Sequence, residues 1–126
     1  MGADVYITTD REANFEGLSR ERIGFMIDAE ERVGNQYMYY WRDSYNVTNL
    51  AWAVGMDYGI SFENNPIRFL ERLAESTDEE IEEGYKRLCR RFGVRAEKKV
   101  LEFLKEKRNY LKRIVEAGIV SVEHSI

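Results

Sequence analysis

The sequence predicts an α+β domain that is mainly α, with about five helices packed as an irregular bundle and a small β-sheet pairing the N- and C-terminal strands. Three observations predict it. Short β-branched and aromatic segments stand near the two ends, DVYITT at residues 4–9 and IVSV at residues 119–122. Between them apolar residues recur at intervals of three, four and seven, the spacing of one helix face. Cap and turn residues cut that stretch into lengths of one helix each.

In residues 4–9, Val5 and Ile7 alternate against Tyr6 and Thr8, which reads as a strand. A lone strand leaves its backbone donors and acceptors without partners, so the two terminal strands are expected to pair, in a direction and register left open. Ser19 stands as an N-cap, with Arg22 where a capping box wants Glu. Ile23, Met26, Ile27, Val33, Tyr37 and Tyr40 then form the stripe of a first helix, which Gly34-Asn35 interrupts or weakens. Around residues 42–46 the period fails and a turn is expected. Thr48 or Asn46 caps a short helix at 49–56, ended by Gly55 or Gly59.

Asn64-Asn65-Pro66 is punctuation, with Pro66 in the first turn of a helix over 66–75. Thr77 with Glu80, or Ser76 with Glu79, makes the capping box of the next helix. Its stripe is Ile81, Tyr85, Leu88, Cys89 and Phe92, and Gly93 is its C′ residue. The last helix spans 96–117, and Val100, Leu101, Phe103, Leu104, Tyr110, Leu111, Ile114 and Val115 give it a broad face that needs more than one neighbour. Lys107 falls inside that face, where it snorkels at a bundle edge or meets a carboxylate across a subunit interface.

At 126 residues the chain makes a single domain, 1–126, with room for one core. No run of about 18 apolar residues exists, so no membrane span is expected. MGADVYITTD lacks a basic and then apolar leader, and Tyr6 stands where a myristoylation pattern wants Ser or Thr. One cysteine, Cys89, allows no internal disulfide and fits a reducing compartment. The expected location is cytoplasmic. One glutamine and one proline beside abundant Glu, Lys and Arg are similar to thermophile composition, against which seven asparagines count.

Residues 37–58, YMYYWRDSYNVTNLAWAVGMDY, hold 7 of the 16 aromatic residues and both tryptophans, so this is where a site is sought first. Trp41, Arg42, Asp43, Tyr45, Asn46, Asn49 and Trp52 are the candidate ligand-binding residues. A planar cation beside aromatic bodies can hold an anionic group while a ring stacks. The alternative is structural: Arg42, Asp43 and the asparagines satisfy backbone groups and tie a turn to the core.

The net charge of −4 hides a basic stretch, with 12 basic and 3 acidic residues in 86–113. Lys98, Lys105, Arg108 and Lys112 fall nearly in line on the last helix and are the nucleic-acid candidates. Glu102, Glu106 and Glu116 adjoin them, no aromatic interleaves them, and a solvated face is the competing reading. Glu82–Lys86 and Glu83–Arg87 are spaced as i,i+4 pairs.

Catalytic chemistry has little material. With one histidine, His124, and one cysteine, neither a His-based triad nor a His/Cys zinc site can be assembled. Cys89 lies on an apolar stripe and reads as an inert thiol. No phosphate-cradling glycine loop occurs. A magnesium site from Asp4, Asp10, Asp28, Asp43 and Asp57 would need convergence in space, and their spacing resembles no calcium loop. No metal or cofactor is assigned.

MGADVY at the start, YWRDSYNVTNL in the centre and a charged helix leading to a β-like tail resemble a family of small uncharacterised proteins of phages, archaeal viruses and mobile elements. Residues 62–94 lie outside the resemblance, and GMDYG at 55–59 stands where the family carries a pair of tryptophans. The resemblance implies an origin and no activity. The leading expectation is a non-catalytic protein-interaction module of viral or mobile-element type. The aromatic surplus and the broad face of the last helix point to a homodimer or another protein partner. The alternatives are a nucleic-acid binder using the last helix and a small hydrolase or nucleotide-binding protein centred on Arg42 and Asp43.

Overall fold

The structure is a computed structural model that describes residues 2–18, 31–44 and 47–125, and side chains within 4–18, 34–42 and 47–124. Four strands, β1 (Gly2–Thr9), β2 (Glu31–Val33), β3 (Gln36–Ser44) and β4 (Ile119–Ser125), form one antiparallel sheet in the order β2-β3-β1-β4. Between β3 and β4 run a π-helical turn (Ala51–Gly55) and three α-helices, α1 (Pro66–Ala74), α2 (Asp78–Phe92) and α3 (Lys98–Glu116). The α+β class and the pairing of β1 with β4 agree with the expectation. The sheet is larger and the described helices fewer than expected.

The first helix is corrected where it is described. Residues 31–40 belong to the β2–β3 hairpin, whose two-residue turn is Gly34-Asn35. Gly34 has φ +64°, and no described non-glycine residue has positive φ, which fits a type II′ turn with Gly in its first central position. Tyr37, Tyr39 and Trp41 alternate with Met38, Tyr40 and Arg42, so the same aromatics that suit a helix stripe suit a strand better. Ser19, Ile23, Met26 and Ile27 lie outside the described residues. The turn expected at 42–46 is also displaced, because β3 continues through Ser44, with Asp4 opposite Arg42.

The later elements keep their expected signals. The Asn65 side chain accepts from the Arg68 amide ahead of α1, and Pro66 opens it. Thr77 and Glu80 form both halves of the capping box, each at 3.1 Å, and Gly93 closes α2 at φ +64°. At the start of the short helix near Leu50, Asn49 Oδ1 accepts from the Trp52 amide at 2.9 Å; of the two expected caps, Asn46 lies outside the described residues.

Val5, Ile7, Thr9, Tyr39 and Trp41 are buried on one sheet face, and they join Leu70, Leu73, Ile81, Leu104, Leu111 and Ile114 of the helices in one core. Residues 10–18 close an end of it. Asp10 and Arg11 donate to the Gly118 and Ala117 carbonyls, the Ala13 amide donates to the Tyr39 hydroxyl at 2.7 Å, and Phe15 packs against Tyr39 and Tyr110. The broad face of α3 is accounted for inside the chain, against α1, α2 and β4. Among the described residues, no helix is long and apolar enough to cross a membrane.

Candidate functional site

The face of the sheet turned away from the helices is where the described side chains stay open. Strand alternation places Asp4, Tyr6 and Thr8 of β1 there, beside Met38, Tyr40 and Arg42 of β3 and Ser121 and Glu123 of β4. Arg42 and Glu123 are exposed and Tyr6 is 39% exposed, against 4% and 0% for Val5 and Ile7 on either side of it. Tyr6 sits opposite Tyr40 on one side and Glu123 on the other, and the two tyrosine rings lie 5.3 Å apart at 45°. Two tyrosines and an arginine on a sheet face that no described helix covers are the residue types that dominate interface energetics.

The Tyr40 hydroxyl donates to Asp4 Oδ1. That hydrogen bond to a carboxylate, followed by burial, pushes the Tyr40 pKa up to about 12, although Arg42 pulls it down. Tyr40 is therefore a held proton donor at neutral pH, the reverse of a tyrosinate nucleophile. Among the described residues no group accepts a hydrogen bond from the Arg42 side chain.

The expected central island is divided. Trp41 is buried in the core, while Arg42, one residue on, faces outward. Asn49 is buried and engaged in its cap. Trp52 lies on the helical side, its ring parallel to Phe92 within 3° at 5.9 Å. The Asp43 side chain and Tyr45 and Asn46 lie outside the described residues. Strand alternation puts Arg42 on the opposite face of the sheet from Trp41, so these two do not line one pocket.

The expected basic stripe is also broken up. Lys105 Nζ lies 2.7 Å from Glu82, and Arg108 donates to Asp78 at 2.6 Å and to the Ser76 carbonyl at 2.8 Å. Both clamp α3 to α2 and the turn before it, which leaves Lys98 and Lys112 exposed and far apart in sequence. The i,i+4 pairs are replaced in the same way, since Glu82 reaches Lys105 and Arg87 reaches Asp57 at 2.6 Å. Lys107 does not snorkel outward. It is 3% exposed, with Nζ 5.3 Å from the Phe103 ring and 5.6 Å from the Trp41 ring, donating to the Thr48 carbonyl at 3.4 Å.

The groups considered for catalysis are dispersed. Cys89 is buried and His124 stacks on Phe62 at 4.8 Å. Asp4 is engaged by Tyr40 and Asp57 by Arg87, and Asp10 lies at the end of β1. Among the described residues no three His, Cys, Asp or Glu side chains gather as a metal site would need. Tyr6 and Tyr40 escaped the sequence reading, yet the alternation of Val5 and Ile7 against Tyr6 already carried the signal for Tyr6. The chain matches no protein-family model, no curated protein and no solved structure.

Proposed function

We propose that the protein is a non-catalytic interaction module that pairs with a second copy of itself through the open face of the sheet. The observation that carries this reading is the Tyr6–Tyr40 pair at the centre of that face, with Arg42 on one flanking strand and Glu123 on the other. A two-fold axis running along β1 lays β3 of one copy over β4 of the other. It sets each Tyr40 over a Glu123 of the other copy. Arg42, two residues along β3 and so about 7 Å away, reaches back with its long side chain toward the same carboxylate, so the face complements itself in charge. Two sheets packed this way sit about 10 Å apart, the distance that tyrosine side chains fill.

Charge exchange tests the pairing. Arg42→Glu places like charges opposite each other and is expected to yield monomers in light scattering. Adding Glu123→Arg in the same chain restores the opposite signs and the dimer. Arg42→Glu that leaves the mass unchanged would remove this face from the contact.

A further inference from the structure

The end of the molecule where α2 turns into α3 has a different chemistry from the sheet. Residues 86–99, KRLCRRFGVRAEKK, carry seven basic side chains and one acidic one, and residues 90–99 are all exposed. Arg87 is engaged by Asp57. Among the described residues, Arg90, Arg91, Arg95, Lys98 and Lys99 make no ion pair. Phe92 and Val94 project among them, 45% and 47% exposed. Trp52 lies parallel to Phe92 in an offset stack with the centroids 5.9 Å apart, which leaves much of the Phe92 ring open.

A concavity of about 470 Å³ adjoins, lined by Arg95, Ala96, Glu97, Lys98 and Lys99. α3 starts at its edge with no side-chain cap and no acidic residue in the first turn. Lysines there oppose the helix dipole, and a bound anion relieves both effects.

We infer that this surface binds single-stranded nucleic acid. A base stacks on the open face of Phe92, continuing the Trp52–Phe92 stack, and Arg91, Arg95, Lys98 and Lys99 hold the flanking phosphates. The aromatic that the lysine stripe of α3 lacks is supplied by the last residue of α2. A half-exposed ring offers a base a π-face, and the unpaired cations around it offer partners to the flanking phosphates. The surface uses none of the sheet-face residues, so this inference and the dimer stand or fall separately.

The test is fluorescence anisotropy with labelled oligo(dT) and oligo(rU) of about 16 nucleotides, within the usual site size. Four neutralised phosphates at ~0.7 counterion each imply that affinity drops about fiftyfold between about 50 and 200 mM salt. Phe92→Ala is expected to weaken binding at least about fivefold, the lower end for loss of one stacked base. Arg91→Glu with Arg95→Glu, both on exposed and unpaired side chains, is expected to abolish it while the circular dichroism spectrum is retained. Lys112→Glu, at the far end of α3, leaves it unchanged. Absence of binding by the parent, or equal binding by the arginine variant, overturns the inference. Sedimentation with phosphatidylserine vesicles in place of oligonucleotide binding overturns it too and assigns the surface to lipid.

Discussion

Gly84 on α2 faces the Ala53 carbonyl of the π-helical turn so closely that a β-carbon on Gly84 would lie 1.8 Å from that oxygen. The helix and the turn therefore meet backbone to backbone, and Arg87, one turn on, donates to the same carbonyl at 3.3 Å. Gly55 repeats the arrangement more softly, with the Phe69 ring 2.4 Å from where its β-carbon would be. The Gly84 contact seats the turn that carries Trp52 against α2, the helix that carries Phe92, and the Gly55 contact seats it against α1.

Gly84→Ala separates two opposed effects. Alanine inside a helix alone gains about 1 kcal/mol over glycine. Here it forces the turn off the helix and is expected to cost about 1–3 kcal/mol net of that gain. At roughly 3–6 °C per kcal/mol for a domain of this size, thermal unfolding reads the sign directly, and the midpoint is expected to fall.

Arg42 and Asn49 stand close in the sequence and are expected to behave differently. Arg42 is exposed and no described group accepts from it, so Arg42→Ala is expected to change stability by no more than about 0.5 kcal/mol. Asn49 is 4% exposed and holds the Trp52 amide, so Asn49→Ala is expected to cost about 0.5–2 kcal/mol. Chemical denaturation of the two variants beside the parent measures the contrast.

Tyr40 is expected to titrate well above an ordinary tyrosine, near the value of about 12 that Asp4 imposes. The raised value belongs to the folded state. Its stabilising contribution is complete below the ordinary tyrosine value of 10.0 and is lost as the pH rises through about 12. Difference absorbance of the parent against Tyr40→Phe follows this ionisation, and Asp4→Asn is expected to bring it down toward the ordinary value.

At the acid end, the α1–α2–α3 junction is the sensitive point. The Arg108 hydrogen bond holds the Asp78 carboxyl below its ordinary value. Burial alone would raise Glu80, but the Thr77 amide and Arg72 outweigh it and leave Glu80 lowered. Both contributions are present above the ordinary carboxylate range and are lost as the pH falls through the lowered folded values. Asp78 is half exposed, so solvent limits its share to less than about 1 kcal/mol. Asp78→Asn is expected to lower stability slightly at neutral pH and to flatten its decline below about pH 4.

The helices after Pro66 were legible because their signals are local. A cap, a capping box and a C′ glycine act within one turn, and Asn65, Thr77, Glu80 and Gly93 act as their positions in the sequence suggest. Residues 31–40 were misread because Val33, Tyr37 and Tyr40 satisfy a helical spacing while Tyr37, Tyr39 and Trp41 satisfy a strand spacing. A Gly-Asn turn decides between the two only when β1 is available to pair. The island at 41–52 looked like one site because its residues adjoin in sequence. Alternation across a sheet separates neighbours, and sequence proximity does not report it. Ion pairs were the least legible, since Glu82 and Arg87 pass over partners four residues away for partners on other elements.

The central claim is that the open face of the sheet pairs two copies of the chain. Sedimentation velocity of the parent at micromolar concentration, beside Tyr6→Lys, tests it most directly. The account expects the parent at twice its 14.9 kDa and the variant at 14.9 kDa with an unchanged circular dichroism spectrum. A parent that sediments at 14.9 kDa, or a variant that stays dimeric, would contradict it.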